Sequence, residues 1–138
     1  MYVHEASLEV RYYETDLMGI VHHSNYIRYF EYGRNRALVD LGFPIKEVEQ
    51  RGVMMPVIEV NCFYKLPTYQ GDILKIVSTI KELPKVKLKI DTVIYNPAGE
   101  VASYGSVVLG FINSTTRRAI RAPKFVIDLF EPYIEQSK

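Results

Sequence analysis

The sequence predicts an α+β fold in which one long helix packs on a curved antiparallel sheet of about five strands. Apolar residues recur with helical spacing over residues 24–41, and strand alternation repeats from residue 53 onward. A helix with so apolar a face needs a layer that covers it. The length of 138 residues suits one domain, residues 1–138, because two independent cores would be cramped.

The first elements follow from local spacing. Residues 7–14 alternate apolar and polar side chains, which predicts a strand, and residues 15–23 predict a loop. In the helix over residues 24–41, Ser24 is expected to cap the start and Gly42 the end. Gly33 lies on the apolar face at a cost of about 1 kcal/mol relative to Ala, which indicates close approach to whatever the helix packs on. A short second helix is expected over residues 44–51.

The rest of the chain predicts four strands in antiparallel succession and a terminal helix. The strands cover residues 58–64, 74–80, 86–94 and 101–112, and the helix runs from Pro123 to residue 135. The strand over 101–112 is apolar on both faces, which is typical of an inner strand. Cys62 alternates inward with Ile58 and Val60, which favours a small buried side chain over a nucleophile.

Composition excludes several classes of protein. There are 17 Lys and Arg against 16 Asp and Glu, a net charge of +1 that argues against nucleic acid as a partner. Cys62 is the one cysteine, so no intramolecular disulfide can form, and no apolar run reaches the roughly 20 residues of a membrane span. We therefore expect a cytoplasmic protein. The 11 Tyr and absent Trp leave many rings with a hydroxyl that can face a ligand.

Polar residues are concentrated in residues 11–26, which read RYYETDLMGIVHHSNY. This segment resembles the signature of the 4-hydroxybenzoyl-CoA thioesterase-like branch of the hot-dog superfamily: a strand ending in RY, then ETD, a Gly-containing loop, and HxNY at the start of the long helix. The segment YKLPTYQGDIL over residues 64–74 is similar to that family's turn between strands, and Pro123 matches a Pro after the last strand. The resemblance covers nearly the whole chain.

The resemblance implies a hot-dog fold and an acyl-CoA thioesterase that hydrolyses a thioester to a free acid and coenzyme A. It implies no organic cofactor and no metal, because coenzyme A is part of the substrate. It also implies a homodimer or homotetramer, in which two sheets join edge to edge and the active sites lie between subunits.

The residue types agree with that chemistry. An ionised Asp16 can attack the thioester carbonyl or remove a proton from water, and sequence does not choose between these roles. Gly19 lets the backbone approach a ligand, and the N–H groups of His23 or its neighbours can polarise the carbonyl oxygen at the helix start. His23 can also position the substrate. Tyr12 is a third catalytic candidate that would line the pocket from the end of the first strand, or else pack under the helix. The candidate substrate-binding residues of this segment are Gly19, Ile20, Val21, His22 and Asn25.

Several alternatives stay open. Arg117, Arg118 and Arg121 can bind coenzyme A phosphates or form a solvated edge. A metal site at His22 and His23, with His4 as a possible third ligand, is disfavoured, because adjacent side chains do not easily face one ion and no acidic or Cys partner has the usual spacing. The rival functions are a thioesterase acting on acyl carrier protein and a non-catalytic acyl-CoA binder. Asp16 disfavours the second, because binding alone does not require it.

Overall fold

The computed structural model describes residues 1–134, which form three helices and two sheets. The elements follow in chain order: β1 Tyr2–Glu9, α1 Ser24–Asp40, α2 Ile45–Gln50, β2 Val53–Met54, β3 Val57–Tyr64, β4 Ile73–Ile80, β5 Leu88–Tyr95, β6 Val101–Leu109, β7 Ile112–Asn113 and α3 Lys124–Phe130. Single turns of 3-10 helix cover Tyr12–Glu14 and Glu131–Tyr133. The predicted α+β class with a five-stranded antiparallel sheet is confirmed.

The five-stranded sheet has the order β1, β4, β5, β6, β3, and β2 pairs separately with β7. The strands therefore do not follow one another in the predicted succession: β3 lies beside β6, not beside β4. This places β3 at one edge of the sheet and β1 at the other. The inner position of β6, between β5 and β3, confirms the interpretation of its two apolar faces.

Helix α1 packs on β1, β4 and β5. Its buried face carries Tyr26, Tyr29, Phe30, Ala37 and Leu38. A Cβ at Gly33 would lie 2.6 Å from Cγ2 of Ile76 and 3.0 Å from Oγ of Ser78, both on β4. The predicted reason for this glycine, close approach to another element, is confirmed, because a methyl group there would overlap the sheet.

The start of the chain differs from the prediction. The first strand covers residues 2–9, whereas residues 12–14 form a 3-10 turn. The turn forms because the N–H and guanidinium of Arg11 both donate to the Glu14 carboxylate, and the Thr15 N–H donates to the Tyr12 carbonyl. Tyr12 therefore does not end a strand and does not pack under α1; its side chain is 74% exposed.

The structure contradicts the predicted cap at the start of α1 and confirms the predicted glycine at its end. Ser24 does not cap the helix: it is the first helical residue, and its hydroxyl lies 2.8 Å from Nδ1 of His22. His23 occupies the cap position with backbone angles that are already helical, so no side-chain cap forms there. Gly42 follows the helix with φ of +82°, the left-handed conformation expected of a glycine at this end.

Strand β3 is more exposed than its alternation predicts. Ile58 and Val60 are exposed and Cys62 is half-buried, because β3 lies at the edge of the sheet while α1 packs mainly on β1, β4 and β5. Cys62 is thus less buried than predicted, although it packs against the core; its sulfur lies 3.3 Å from Oγ of Ser103.

The terminal helix begins one residue after Pro123, which takes the cap position, and it gives way to a 3-10 turn that contains Pro132. Its predicted end at residue 135 lies outside the described residues. The short helix expected over 44–51 is confirmed as α2. Within residues 1–134, no helix combines the length and apolar character that crossing a membrane requires.

Candidate active site

Asp16 lies in a short loop closed by a bridge between Thr15 and Val21. Its Oδ1 accepts hydrogen bonds from the N–H groups of Met18, at 2.8 Å, and Ile20, at 3.2 Å. Gly19 has φ of +75°, a conformation that lets the chain turn back so that these N–H groups reach the carboxylate. Across residues 1–134, no hydrogen-bond partner is found for Oδ2. One oxygen is thus fixed by the loop and the other is available to a ligand.

The turn between β3 and β4 holds this loop in place. The Val21 N–H donates to the Thr68 carbonyl at 2.9 Å, and the Gln70 N–H donates to the Gly19 carbonyl at 3.3 Å. Thr68 is fully buried, and its hydroxyl lies 2.7 Å from the hydroxyl of Tyr26 on α1. The second motif, over residues 64–74, is therefore the platform on which the Asp16 loop and the start of α1 meet.

Glu14 is a residue of this region that the sequence reasoning missed. Its side chain is buried, its Oε1 accepts from the Arg11 N–H at 2.8 Å and the Tyr29 hydroxyl at 3.1 Å, and its Oε2 accepts from the Arg11 guanidinium at 2.9 Å. The Glu14 carbonyl accepts from the His22 N–H and the Asn25 side-chain amide. The available signal was its place as the first residue of the ETD motif, three residues after Arg11.

The hydrogen bonds that Glu14 accepts keep its carboxyl group ionised at neutral pH. Burial alone would raise the pKa of this carboxyl, but the hydrogen bonds from Arg11 and Tyr29 outweigh that effect and hold the pKa below its ordinary value. The same burial, with the nearby Glu14 charge, raises the pKa of Tyr29. Tyr29 therefore stays a hydroxyl donor to an ionised Glu14 at neutral pH.

The start of α1 offers one unpaired backbone donor. The Ser24 N–H donates to Nδ1 of His22, the Asn25 N–H to the His22 carbonyl, and the Tyr26 N–H to the His23 carbonyl. The His23 N–H has no acceptor among the residues that the structure describes. Of the backbone N–H groups expected to donate to a thioester carbonyl, the His23 N–H is therefore the one that is free to do so among the described residues.

The side chains of His22 and His23 are exposed, with ring centroids 4.2 Å apart. The Tyr64 hydroxyl donates to the His23 carbonyl at 3.2 Å, so the edge strand β3 also touches the helix start. Tyr12 points into solvent within one copy of the chain. The structure thus brings Asp16, Gly19–Val21, His22, His23 and Asn25 together through the contacts of one loop and one helix start.

The three arginines lie in another region. Arg117, with φ of +63°, contacts the sulfur of Met54 on β2, and the Arg118 carbonyl accepts from the Asn113 N–H on β7. Arg121 is exposed. None of the contacts in the described chain joins these arginines to the Asp16 loop. Residues 1–134 contain no group of three His, Cys, Asp or Glu side chains able to hold a metal ion.

The chain is similar in sequence and structure to known thioesterases. Residues 10–130 match the model of the thioesterase-like superfamily. The protein named "Putative acyl-CoA thioesterase YneP" of Bacillus subtilis is 41% identical over 102 residues, 74% of each chain. The acyl-CoA thioesterase YbgC of Helicobacter pylori is 30% identical over 87% of this chain and 94% of its own. The crystal structure of DHNA-CoA thioesterase from Staphylococcus aureus is similar with a TM-score of 0.87 and 31% identity, covering 96% of this chain and 89% of that one.

Proposed function

The chain belongs to the thioesterase-like superfamily and is an acyl-CoA thioesterase of the hot-dog fold, and we propose that Asp16 carries its chemistry. The supporting observation is the unequal environment of the two Asp16 oxygens. Two loop N–H groups fix Oδ1, while Oδ2 has no partner among residues 1–134. A carboxylate held in this way needs little reorganisation when a substrate arrives.

The reaction consumes one water and converts the thioester into a carboxylic acid and the free thiol of coenzyme A. In one route, Oδ2 of Asp16 attacks the carbonyl carbon and the C–S bond breaks, which leaves an anhydride that water hydrolyses. In the other, Oδ2 takes a proton from water while that water attacks the carbonyl carbon, after which the C–S bond breaks and the proton passes from Asp16 to the leaving thiolate. In both, the His23 N–H would donate to the carbonyl oxygen as negative charge develops, a contribution of about 3 kcal/mol.

Thiol release from a panel of aromatic, short and long acyl-CoAs tests this proposal. Wild type is expected to cleave at least one member, and Asp16→Asn to lose about 100-fold or more in kcat. Asp128→Asn is the control, because it makes the same change at an exposed side chain on α3. Full activity in Asp16→Asn would refute the role of Asp16. If acyl groups were cleaved from acyl carrier protein and from no acyl-CoA, the substrate class would be wrong.

One further measurement separates the two routes. In a single turnover in water enriched with ¹⁸O, the nucleophile route allows water to attack the Asp16 carbonyl carbon of the anhydride and leave the label on Asp16. The general-base route places the label only in the product acid. Mass spectrometry of the peptide that contains Asp16 reports the difference.

We also propose that the chain forms a homodimer, or a homotetramer built from dimers, through strand β3. This edge strand exposes Val57, Ile58, Val60, Phe63 and Tyr64. An exposed apolar edge strand is a template for pairing with another strand, and a second copy of β3 would satisfy its free backbone groups. Tyr64 touches the His23 carbonyl, so such an interface would lie beside the candidate active site.

The role proposed for Arg117, Arg118 and Arg121 depends on that assembly. Within one copy, Arg117 and Arg118 contact β2 and β7, and none of the three contacts the Asp16 loop. Binding of coenzyme A phosphates therefore requires that they reach the site of an adjacent copy. Arg118→Ala is expected to raise KM for acyl-CoA and to leave KM for a short acyl thioester without the nucleotide unchanged.

A further inference from the structure

A cavity of about 230 Å³ lies between α1 and the sheet, where α2 and α3 also contribute to its wall. Its walls are mainly apolar, with Leu38 from α1 and Ile80, Leu88 and Ile90 from β4 and β5. Engineered apolar cavities of about 150 Å³ bind benzene, so this space is sufficient for a small organic molecule.

Two polar groups in this cavity have no partner in the described chain. Nη1 of Arg34 and Oγ of Ser78 are both buried without a hydrogen bond, and the Ser78 side chain is only 2% exposed. No carboxylate of residues 1–134 lies within 4.0 Å of the Arg34 guanidinium. Buried polar groups normally have partners, and an unpaired one costs roughly as much as the lost hydrogen bond, so both groups call for an acceptor.

The cavity is separate from the candidate active site. Arg34 follows Ser24 by ten residues, which is about 15 Å along the helix axis. The side chains of Tyr29 and Phe30, each 1% exposed, fill the buried face of α1 between the two places. None of the residues that line the cavity belongs to the Asp16 loop or the start of α1.

We propose that this cavity is a second ligand site, which binds a small monocarboxylate with a hydrocarbon body. A carboxylate is an acceptor that can take N–H bonds from Arg34 and an O–H bond from Ser78. A hydrocarbon body suits the walls formed by Leu38, Ile80, Leu88 and Ile90. A neutral ligand would leave the buried side of the Arg34 guanidinium without an acceptor, with the exposed Glu31 as the counter-charge that acts on it.

Two acidic side chains at the cavity disfavour a ligand that carries two negative charges. Glu31 and Glu49 also line it, but both are exposed and therefore solvated. Burial lowers the pKa of the Arg34 guanidinium while the charge of Glu31 raises it, and an arginine stays protonated in proteins. A dianion such as phosphate would meet more repulsion from the two glutamates and less contact with the walls.

This ligand class is also the class of acid that thioester hydrolysis releases, so the cavity would allow the acid product to bind away from the reacting carbonyl. The proposal does not rest on that reaction. Carboxylate binding can be measured directly with no thioester present, so its failure and the failure of the catalytic proposal are distinguishable.

The test uses 4-fluorobenzoate as a probe, followed by fluorine NMR, with 4-fluorobenzyl alcohol as its neutral analogue. Wild type is expected to bind the carboxylate saturably and at least about tenfold more tightly than the alcohol. Arg34→Met, which keeps an apolar side chain, should weaken carboxylate binding about tenfold or more and leave the alcohol unchanged. Arg36→Met is the matched control, because Arg36 is exposed on the same helix and pairs with Asp40.

Two further arms locate the site. Ser78→Ala removes only a hydroxyl and should weaken carboxylate binding about threefold, which keeps the proposal testable if Arg34→Met does not fold. Asp16→Asn and added coenzyme A should not change the carboxylate affinity. The proposal is overturned if wild type shows no saturable binding, if Arg34→Met and Ser78→Ala both bind as wild type does, or if coenzyme A displaces the probe.

Discussion

Asp16 and Glu14 are carboxylates two residues apart whose surroundings suit them to different tasks. Asp16 is exposed, with one oxygen held by loop N–H groups and the other free among residues 1–134. Glu14 is buried, and both its oxygens accept hydrogen bonds. We infer that the first is placed to react and the second to hold the loop against α1, since a fully bonded carboxylate has little capacity left for a substrate.

We predict that Glu14→Gln destabilises the fold by about 1.5–3 kcal/mol at pH 7, because hydrogen bonds from Arg11 and Tyr29 to a charged acceptor are lost. The folded-state pKa of Glu14 is lowered, so its charge contributes stability above the ordinary glutamate value of about 4.3, and this contribution is lost as pH falls through the lowered value. The difference between wild type and variant should therefore shrink in acid. Urea unfolding from pH 7 to pH 3 measures it.

Glu9→Gln is the control for that experiment, because Glu9 is exposed at the end of β1. It should change the free energy of unfolding by less than about 0.5 kcal/mol at either pH. A Glu14→Gln difference that stayed constant down to pH 3 would show that the loss comes from packing and not from the charge of the carboxylate.

The close contact between helix α1 and strand β4 depends on Gly33, which has no side chain. Gly33→Ala would gain up to about 1 kcal/mol of helix propensity. Its Cβ would nevertheless lie 2.6 Å from Ile76, so we expect a net destabilisation of about 1–3 kcal/mol from forced shifts in the core. Thermal unfolding checks this, with Arg36→Ala on the exposed side of α1 as the control. A stabilised Gly33→Ala would mean that α1 moves away from the sheet at little cost.

The turn between β3 and β4 is coupled to α1 through the hydroxyls of Thr68 and Tyr26. Thr68→Val should cost about 1–3 kcal/mol, because it leaves the buried Tyr26 hydroxyl without its partner. Adding Tyr26→Phe to that variant should cost little more, giving a coupling energy of about 1 kcal/mol in a double-mutant cycle by urea unfolding. Additive losses would exclude this hydrogen bond as the connection between the platform and the helix.

These elements also show how far local sequence patterns predict the fold. Alternation predicted β4 and β5, and 3.6-residue spacing predicted α1, because each pattern reflects one buried face. A run that is apolar on both faces predicted β6 as an inner strand. The strand order was not predictable in this way, because the pairing of β3 with β6 depends on contacts about 45 residues apart. The turn over residues 12–14 was missed for a different reason: it is formed by the Arg11–Glu14 pair, which leaves no periodic signal.

The candidate site of the folded molecule is formed by a local part and a long-range part. The motif over residues 11–26 indicated Asp16, His23 and Asn25 because one loop and one helix start bring them together. Thr68 and the Tyr64 hydroxyl enter the site from over forty positions away. The segment over residues 64–74 was recognised by its resemblance, but its local sequence does not indicate which residues it contacts. Residues at a subunit interface are harder still to predict from sequence, since their partners belong to another copy of the chain.

The proposed interface at β3 can be tested by comparing the two edges of the sheet. Phe63 on β3 and Val3 on β1 are similarly exposed, at 53% and 47%, but only β3 has large apolar side chains exposed along most of its length. If copies pair through β3, Phe63→Lys should produce a monomer, because two like charges would face each other across an apolar interface, while Val3→Lys should keep the wild-type mass. Light scattering after size-exclusion chromatography measures both. If Val3→Lys dissociated the protein, or if Phe63→Lys kept the wild-type mass, the interface would not lie at β3.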